Sequence, residues 1–439
     1  MIYNIFWFRR DLRFEDNTAL FHALSSENPV IPIFIFDQNI LSKLSDPYDA
    51  RITFIYNQIL QLQLKLRSYK SDLVILFDEP LHAWSKLLKE YKLGSVYFNR
   101  DYESYANQRD QQIETLLTQH QIQVHTYKDH VLFEAHEVLK DDGKPYTVFT
   151  PYKNKLLQRL KAKAPLVDNH VIFACLPSEQ RTHNFWKATT NDCPDLDEMG
   201  FKTSSINIPN IRVNEMLIKN YQKDRDYPAR DATTHLGIHL RFGTISIRSL
   251  ANQAYQLSDT FFSELLWRDF YSTILQCFPY VEFGAFKKVY DQITWENNEN
   301  QFKAWCEGRT GYPMVDAGMR QLNETGFMHN RLRMITASFL VKHLLIDWKW
   351  GEAYFAEKLL DFELASNNGG WQWAAGCGTD AAPYFRIFSP EAQQMKFDPD
   401  GVFVKKWIPD LDTFDYPKPI VEHAIARQRC IEVYKKRYN

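Results

Sequence analysis

Eight of the 11 tryptophans fall between residues 267 and 407: Trp267, Trp295, Trp305, Trp348, Trp350, Trp371, Trp373 and Trp407. Indole has a broad, flat apolar face and can be oxidised transiently. Such a cluster could stack on an aromatic ligand or relay an electron, but spacing alone proves neither, because buried tryptophan is normally core packing. Glycine clusters in the same region. Gly369, Gly370, Gly376 and Gly378, four of only 16, lie within ten residues, which marks close backbone approach or unusual dihedrals. The run Asn367-Asn368-Gly369-Gly370 has the composition of a turn. Arg333 and Asp361, taken singly, read as solvated charges. The six cysteines (Cys175, Cys193, Cys277, Cys306, Cys377, Cys430) form no CxxC pair. They lack metal-ligand spacing, so no metal site is expected, and they fit reduced thiols in a cytoplasmic protein.

These residues need a scaffold, and composition bounds it. The chain has 439 residues, 45% hydrophobic and 24% charged. That is the balance of a globular protein of about two or three domains, large enough to bury a core without disulfides. The formal charge of −2 argues against bulk electrostatic binding of nucleic acid and leaves room for a local basic face. No apolar run approaches the roughly 18 residues of a membrane span. The best candidate, Met334 to Ile346, is interrupted by Lys342 and His343. At the N-terminus, Arg9 and Arg10 follow the apolar stretch instead of preceding it, unlike a signal peptide.

In residues 1–130, short apolar runs at Ile2–Phe8, Val30–Phe36, Leu73–Phe77 and Ser95–Phe98 alternate with helical periodicity at Ile52–Leu66 and Gln108–Leu117. This predicts an α/β domain with a doubly wound parallel sheet. The first strand leads into Arg9-Arg10-Asp11-Leu12-Arg13, so the standard GxGxxG dinucleotide fingerprint is absent. Residues 131–205, rich in Pro, Asn and Asp, predict a long interdomain linker. Residues 206–439 predict an all-helical domain, with apolar residues at i, i+3 and i+4 over Glu264–Phe278, Tyr312–Leu322, His329–Leu345 and Glu352–Leu360, and a helix-like end at Ile420–Arg437.

Asp361 to Pro390 reads DFELASNNGGWQWAAGCGTDAAPYFRIFSP, Gly326 to Met334 reads GFMHNRLRM, Leu265 to Phe270 reads LLWRDF, and the N-terminus carries FWFRRDLRFEDN. Together these resemble the photolyase/cryptochrome family over essentially the whole chain. The resemblance implies an N-terminal α/β antenna domain and a C-terminal helical domain holding FAD in a folded conformation. Asn367 then matches the side chain facing flavin N5, where a neutral amide can hydrogen-bond without adding negative charge. Arg333 and Asp361 match an ion pair beside the isoalloxazine. Arg268, Asn330 and Glu363 match further flavin positions. Tyr221 and the run Thr233-Thr234-His235-Leu236 match the phosphate-binding stretch. Three departures are mild: Gly237 lacks a hydroxyl donor that serine often supplies, Glu363 stands where Asp is frequent, and Phe327 where Trp is frequent. Trp371, Trp348 and Trp295 match a chain for photoreducing the flavin.

Within the family, the implied substrate is a cyclobutane pyrimidine dimer in DNA, and the implied enzyme a carbon–carbon lyase. An electron would pass from light-excited reduced FAD to the dimer and return once the ring opens. Enzymes that act on stacked bases, photolyases among them, extrude the target into a pocket. Trp267 and Trp373 match the aromatic walls of that pocket and Met334 an apolar contact. Glu264 matches the acid on the dimer's carbonyl edge, where burial is expected to raise its pKa. Asn330 could bridge flavin and dimer, and Arg331, Arg386 and Lys396 match positions near DNA phosphates. Enzymes for (6-4) photoproducts place a histidine-rich sequence where Met328 to Met334 stands, and His329 alone reads as a satisfied helix histidine. The alternative is a blue-light receptor of cryptochrome type, against which Asn367, Glu264 and the Trp267/Trp373 pair weigh. A second chromophore could be a folate, a deazaflavin or a flavin. Tyr105 and Ala106 replace the Asn-Glu pair of folate-binding members, while Arg9, Asp101 and Glu103 only mark the neighbourhood. A monomer in the cytoplasm, associated with the nucleoid in a prokaryote, completes the expectation.

Overall fold

A computed structural model describes residues 1–163, 172–187 and 192–436. Parts of the expected linker (164–171 and 188–191) and the last residue of the expected terminal helix, Arg437, lie outside the described residues. The chain divides into two compact units, each assembled from separate stretches. Unit 1 comprises Met1–Glu134, Leu160–Ile211 and Leu236–Gln256, and unit 2 comprises Ala135–Arg159, Arg212–His235 and Leu257–Asn439.

Unit 1 is built on five parallel strands: β1 (Tyr3–Phe8), β2 (Val30–Asp37), β3 (Val74–Asp78), β4 (Leu93–Asn99) and β5 (Gln123–Tyr127), in the order β3-β2-β1-β4-β5. Period-two alternation sorts their side chains. Phe6, Phe8, Phe34 and Phe36 enter one core with Leu20, Ile59, Leu62 and Leu66. Ile5, Trp7, Ile33 and Ile35 enter the other with Trp84, Leu87, Ile113 and Leu117. Strand β5 has no apolar run to announce it. It is an edge strand reading QVHTY, with no fully buried residue. The stretch expected as a linker contributes Phe185, Met199 and Phe201 to the first core, which is why 160–211 belongs to unit 1. The expected linker also contains a helix, Phe149–Lys163, whose Phe149, Tyr152, Leu156 and Leu160 are buried. Their spacing is helical, but lysines dilute it.

Beyond the carboxyl ends of β1 and β4, charged side chains pair with one another. Arg10 reaches Asp101 at 3.0 Å and Glu103 at 2.9 Å, and Arg241 reaches Glu103 at 2.6 Å. The guanidinium of Arg10 holds Asp101 far below the usual carboxylate range despite burial. The Arg9 guanidinium lies 4.9 Å from the Trp7 ring and 4.6 Å from Phe98.

Unit 2 is helical. Its main elements are Asp259–Cys277, Pro313–Thr325, Asn330–Ser338, Trp348–Lys358, Leu364–Ala375 and His423–Lys435. The helix expected over His329–Leu345 is α-helical only to Ser338; Phe339–His343 form a fully buried π-helical turn. The run Asn367-Asn368-Gly369-Gly370 is not a turn but the middle of the Leu364–Ala375 helix. Packing overrides local preference here: a Cβ on Gly369 would sit 2.1 Å from Tyr271 Cδ1, so only glycine lets this helix approach Asp259–Cys277. The helix stops at Gly376, whose φ of 82° is a left-handed cap. Among the described residues no helix is long and apolar enough to cross a membrane.

Candidate active site

Three packed helices of unit 2 carry most of the singled-out residues. Asp259–Cys277 bears Glu264, Trp267 and Arg268; Asn330–Ser338 bears Asn330, Arg331, Arg333 and Met334; Leu364–Ala375 bears Asn367, Trp371 and Trp373, with Glu363 at its N-cap. The first helix starts where the Ser258 side chain accepts from Phe261 N at 3.3 Å. The second starts at His329, whose Nδ1 accepts from Arg331 N at 3.1 Å. Burial pushes the His329 pKa down to about 4, so the ring stays neutral and able to cap.

Charges that looked solvated in isolation are paired. Arg333 Nη2 donates to both oxygens of Asp361 at 3.0 Å, and its Nε donates to Met328 O at 2.8 Å. Arg268 donates to Glu363 at 2.7 Å, both side chains being largely covered. Asn367 Nδ2 donates to Glu352 O at 3.0 Å, and no described residue meets its carbonyl oxygen. Asn368, buried, donates to Val281 O at 3.0 Å and to Glu352 Oε1 at 3.2 Å. Burial raises the Glu352 carboxyl to about 7. Sequence reasoning passed over Glu352, because nothing in a periodic helix distinguishes it from a surface acid.

Aromatic residues border this set. Trp267 stacks on Phe149 with centroids 3.8 Å apart and planes 11° from parallel. Phe149 was missed because it lies in the stretch read as linker. Trp373 is half-buried, with the Arg386 guanidinium 6.0 Å from its ring. Met334 Sδ lies 3.8 Å from Arg331 Nη1 and 4.0 Å from Asn330 Nδ2. Glu264 is not the deeply buried acid expected: its side chain remains 32% exposed and pairs with Arg225. Arg225 in turn covers the Tyr221 ring at 5.3 Å.

Arg331 is already engaged, pairing with Asp226 at 2.6 Å and lying 4.2 Å from the Phe397 ring. Arg386 and Lys396 are exposed, with no ion-pair partner among the described residues. In the run 233–236, Thr233 and Thr234 are half-buried and Leu236 is buried. His235 adopts a left-handed φ of 51°, and its ring is 4.3 Å from Phe327. Trp371 and Trp348 are buried, whereas Trp295 is half-buried and lines a cavity with Trp348.

The donor set fits a flavin. It offers two half-buried guanidinium–carboxylate pairs, which are neutral overall, and a neutral amide whose oxygen can accept from a ring N–H. In unit 1, a separate cavity of about 380 Å³ is bordered by Leu41, Leu44, Pro47, Phe77, Met199 and Phe201 together with the polar Gln38, Ser42 and Ser45, a mixed lining of apolar faces and hydrogen-bonding groups that suits a second flat chromophore.

Comparisons with known proteins agree with both halves of this description. Residues 4–168 match the family described as DNA photolyase, and residues 261–415 match the FAD binding domain of DNA photolyase. A deoxyribodipyrimidine photo-lyase of Vibrio cholerae is 36% identical, with 98% of each chain covered. The crystal structure of a bacterial class III photolyase from Agrobacterium tumefaciens superimposes with a TM-score of 0.84 at 30% identity, covering 100% of this chain and 98% of that one. That of an archaeal photolyase from Sulfolobus tokodaii with two FAD molecules gives 0.82 at 34% identity, covering 99% and 100%.

Proposed function

We propose that this chain, which belongs to the DNA photolyase family, repairs cyclobutane pyrimidine dimers in DNA as a light-dependent deoxyribodipyrimidine photo-lyase. One juxtaposition carries the reading: the paired guanidinium groups and the amide with an open carbonyl oxygen that suit a flavin stand on the same three helices as the aromatic residues that suit an extruded lesion. Bound FAD supplies the light-excited electron that opens the cyclobutane ring, for no net redox change.

The chain's own residues bind and orient. Arg333–Asp361 and Arg268–Glu363 would hold the cofactor without leaving an uncompensated charge, and the amide oxygen of Asn367 could accept from a ring N–H. Tyr221, Thr233, Thr234 and His235 would line the approach to its phosphates, whereas Leu236 falls in unit 1. Trp267 and Trp373 replace the stacking that an extruded dimer loses, with Phe149 backing Trp267. The ion pair with Arg225 fixes the orientation of Glu264, whose other oxygen can accept from a pyrimidine N–H. Met334 and Asn330 close the pocket. Arg331, Arg386 and Lys396 border the DNA, Arg331 exchanging Asp226 for a phosphate. Trp371, Trp348 and Trp295 would serve as electron carriers toward the bound cofactor. The protein acts as a monomer in the cytoplasm, with a second chromophore in the unit 1 cavity; extracting chromophores from purified protein identifies it as folate, deazaflavin or flavin.

The test is direct. Reduced, illuminated protein is mixed with an oligonucleotide carrying a thymine dimer, and the ultraviolet absorbance of thymine is followed. Absorbance should recover only in light; no recovery with fully reduced flavin refutes the function.

A further inference from the structure

A cavity of about 300 Å³ opens in unit 2 where Trp295 and Trp348 come to one wall. Its size is at the lower end for small-molecule pockets, about 300–1,000 Å³. Tyr280, Phe283 and Tyr290 add flat aromatic surface, and Phe283 is 74% exposed at the rim. Gly284, two lysines and two aspartates complete the lining. Asp291 Oδ1 accepts from Ala285 N at 2.8 Å, and Asp347 Oδ1 caps the Trp348–Lys358 helix, accepting from Lys349 N at 3.1 Å. Lys288 and Lys349 are exposed and have no ion-pair partner among the described residues. Their ammonium groups lie over rings, Lys288 at 4.4 Å from Tyr280 and Lys349 at 5.9 Å from Trp348, and Lys349 also acts at longer range on Glu352. The pocket thus presents two exposed lysines, two aspartates each with one oxygen held by a backbone N–H, and stacking faces, beside two tryptophans of the proposed electron chain.

We propose that this pocket docks a small, flat, anionic organic reductant of the enediolate class, which returns an electron to the oxidised chain at Trp295. The inference rests on the reading of Trp371, Trp348 and Trp295 as electron carriers. One electron passes from the bound enediolate to the indole radical cation of Trp295, and no bond forms between them. The indole becomes neutral and closed-shell, its positive charge cancelled by the donor's negative charge. The donor leaves as its one-electron-oxidised radical, and any proton it sheds goes to water.

The test uses the FAD-loaded full chain, with ascorbate as the anionic probe and dithiothreitol as a neutral control. In the dark, equilibrium dialysis should find one saturable ascorbate site, weakened about tenfold or more in the K288E/K349E double variant, as expected for lost charge-assisted contacts. After a flash on the oxidised protein, decay of the tryptophan radical should saturate with ascorbate concentration in the wild type and slow about tenfold in the variant. Dithiothreitol should act equally on both. Radical decay that rises linearly with ascorbate, unchanged in the variant, would overturn the pocket and leave the electron chain standing. Absence of any tryptophan radical would overturn the chain, and the pocket's role with it.

Discussion

Replacing Gly351 with alanine sets two effects of opposite sign against each other. The new Cβ would lie 2.1 Å from Trp371 Cη2, 2.5 Å from Cζ3 and 2.6 Å from Leu340 Cδ2. Carbon atoms need about 3.5–4.0 Å, so the indole or the Trp348–Lys358 helix must give way by about 1.5 Å. Little room exists. Trp371 is 2% exposed, and its ring stands 6.0 Å from Trp305 and 5.0 Å from Phe355. Alanine favours a helix over glycine by about 0.8–1.0 kcal/mol. Overpacking costs about 1–3 kcal/mol, and two rigid neighbours put this site in the upper half of that range. The net expectation is a loss of roughly 1–2 kcal/mol, which lowers the unfolding midpoint by about 2–8 °C. Thermal unfolding followed by circular dichroism reads the stability. Near-ultraviolet dichroism reads the displaced indole, and photoreduction of oxidised flavin, expected to slow, reads the electron path. If the variant instead gains about 1 kcal/mol with an unchanged indole signal, helix propensity has won and the steric argument is wrong.

Trp267→Ala removes a wall that stacks on Phe149 at 3.8 Å. Dimer-containing DNA should bind about 5- to 150-fold more weakly, from the roughly 1–3 kcal/mol per stacked base, while flavin content stays constant; fluorescence anisotropy with damaged and undamaged duplexes checks this. Arg386→Ala with Lys396→Ala should reduce the slope of log K against log salt by about 1.8 on duplex DNA, measured by titration at several ionic strengths. Glu352, raised from 4.5 to about 7 by burial, binds its proton more tightly when folded. Its contribution to stability is fully present below pH 4.5 and is lost as pH rises through about 7. Each pKa unit is about 1.4 kcal/mol, and partial solvent access leaves roughly 2 kcal/mol of the shift. Denaturant titrations at several pH values should show wild type losing that much relative to Glu352→Gln between pH 5 and 8; parallel pH profiles would refute it.

Strands β1 to β4 were legible because each is a short apolar run between helical stretches, and the long helices because their apolar residues repeat at i, i+3 and i+4. The motif around Asn367 and Trp371 was legible as a family resemblance. Its local conformation was not, since Asn367-Asn368-Gly369-Gly370 carries every sign of a turn. It folds as a helix because Gly369 allows contact with Tyr271, a neighbour nearly a hundred residues away in the chain. Strand β5 escaped notice because an edge strand need not be apolar. The Phe149–Lys163 helix escaped because its apolar stripe is thin.

Residue types and order therefore determined the kind of elements and the family, and with them the candidates for the site. Which charge meets which was decided only by tertiary structure. Glu264 pairs with Arg225 and Arg331 with Asp226, partners in stretches that carry no motif. The physical reason is one of range. Propensity and periodicity act over a few residues and leave their mark in the local sequence. Burial, pKa and hydrogen-bond partnership depend on which distant segments share a volume, as Glu352 does with the amide of Asn368.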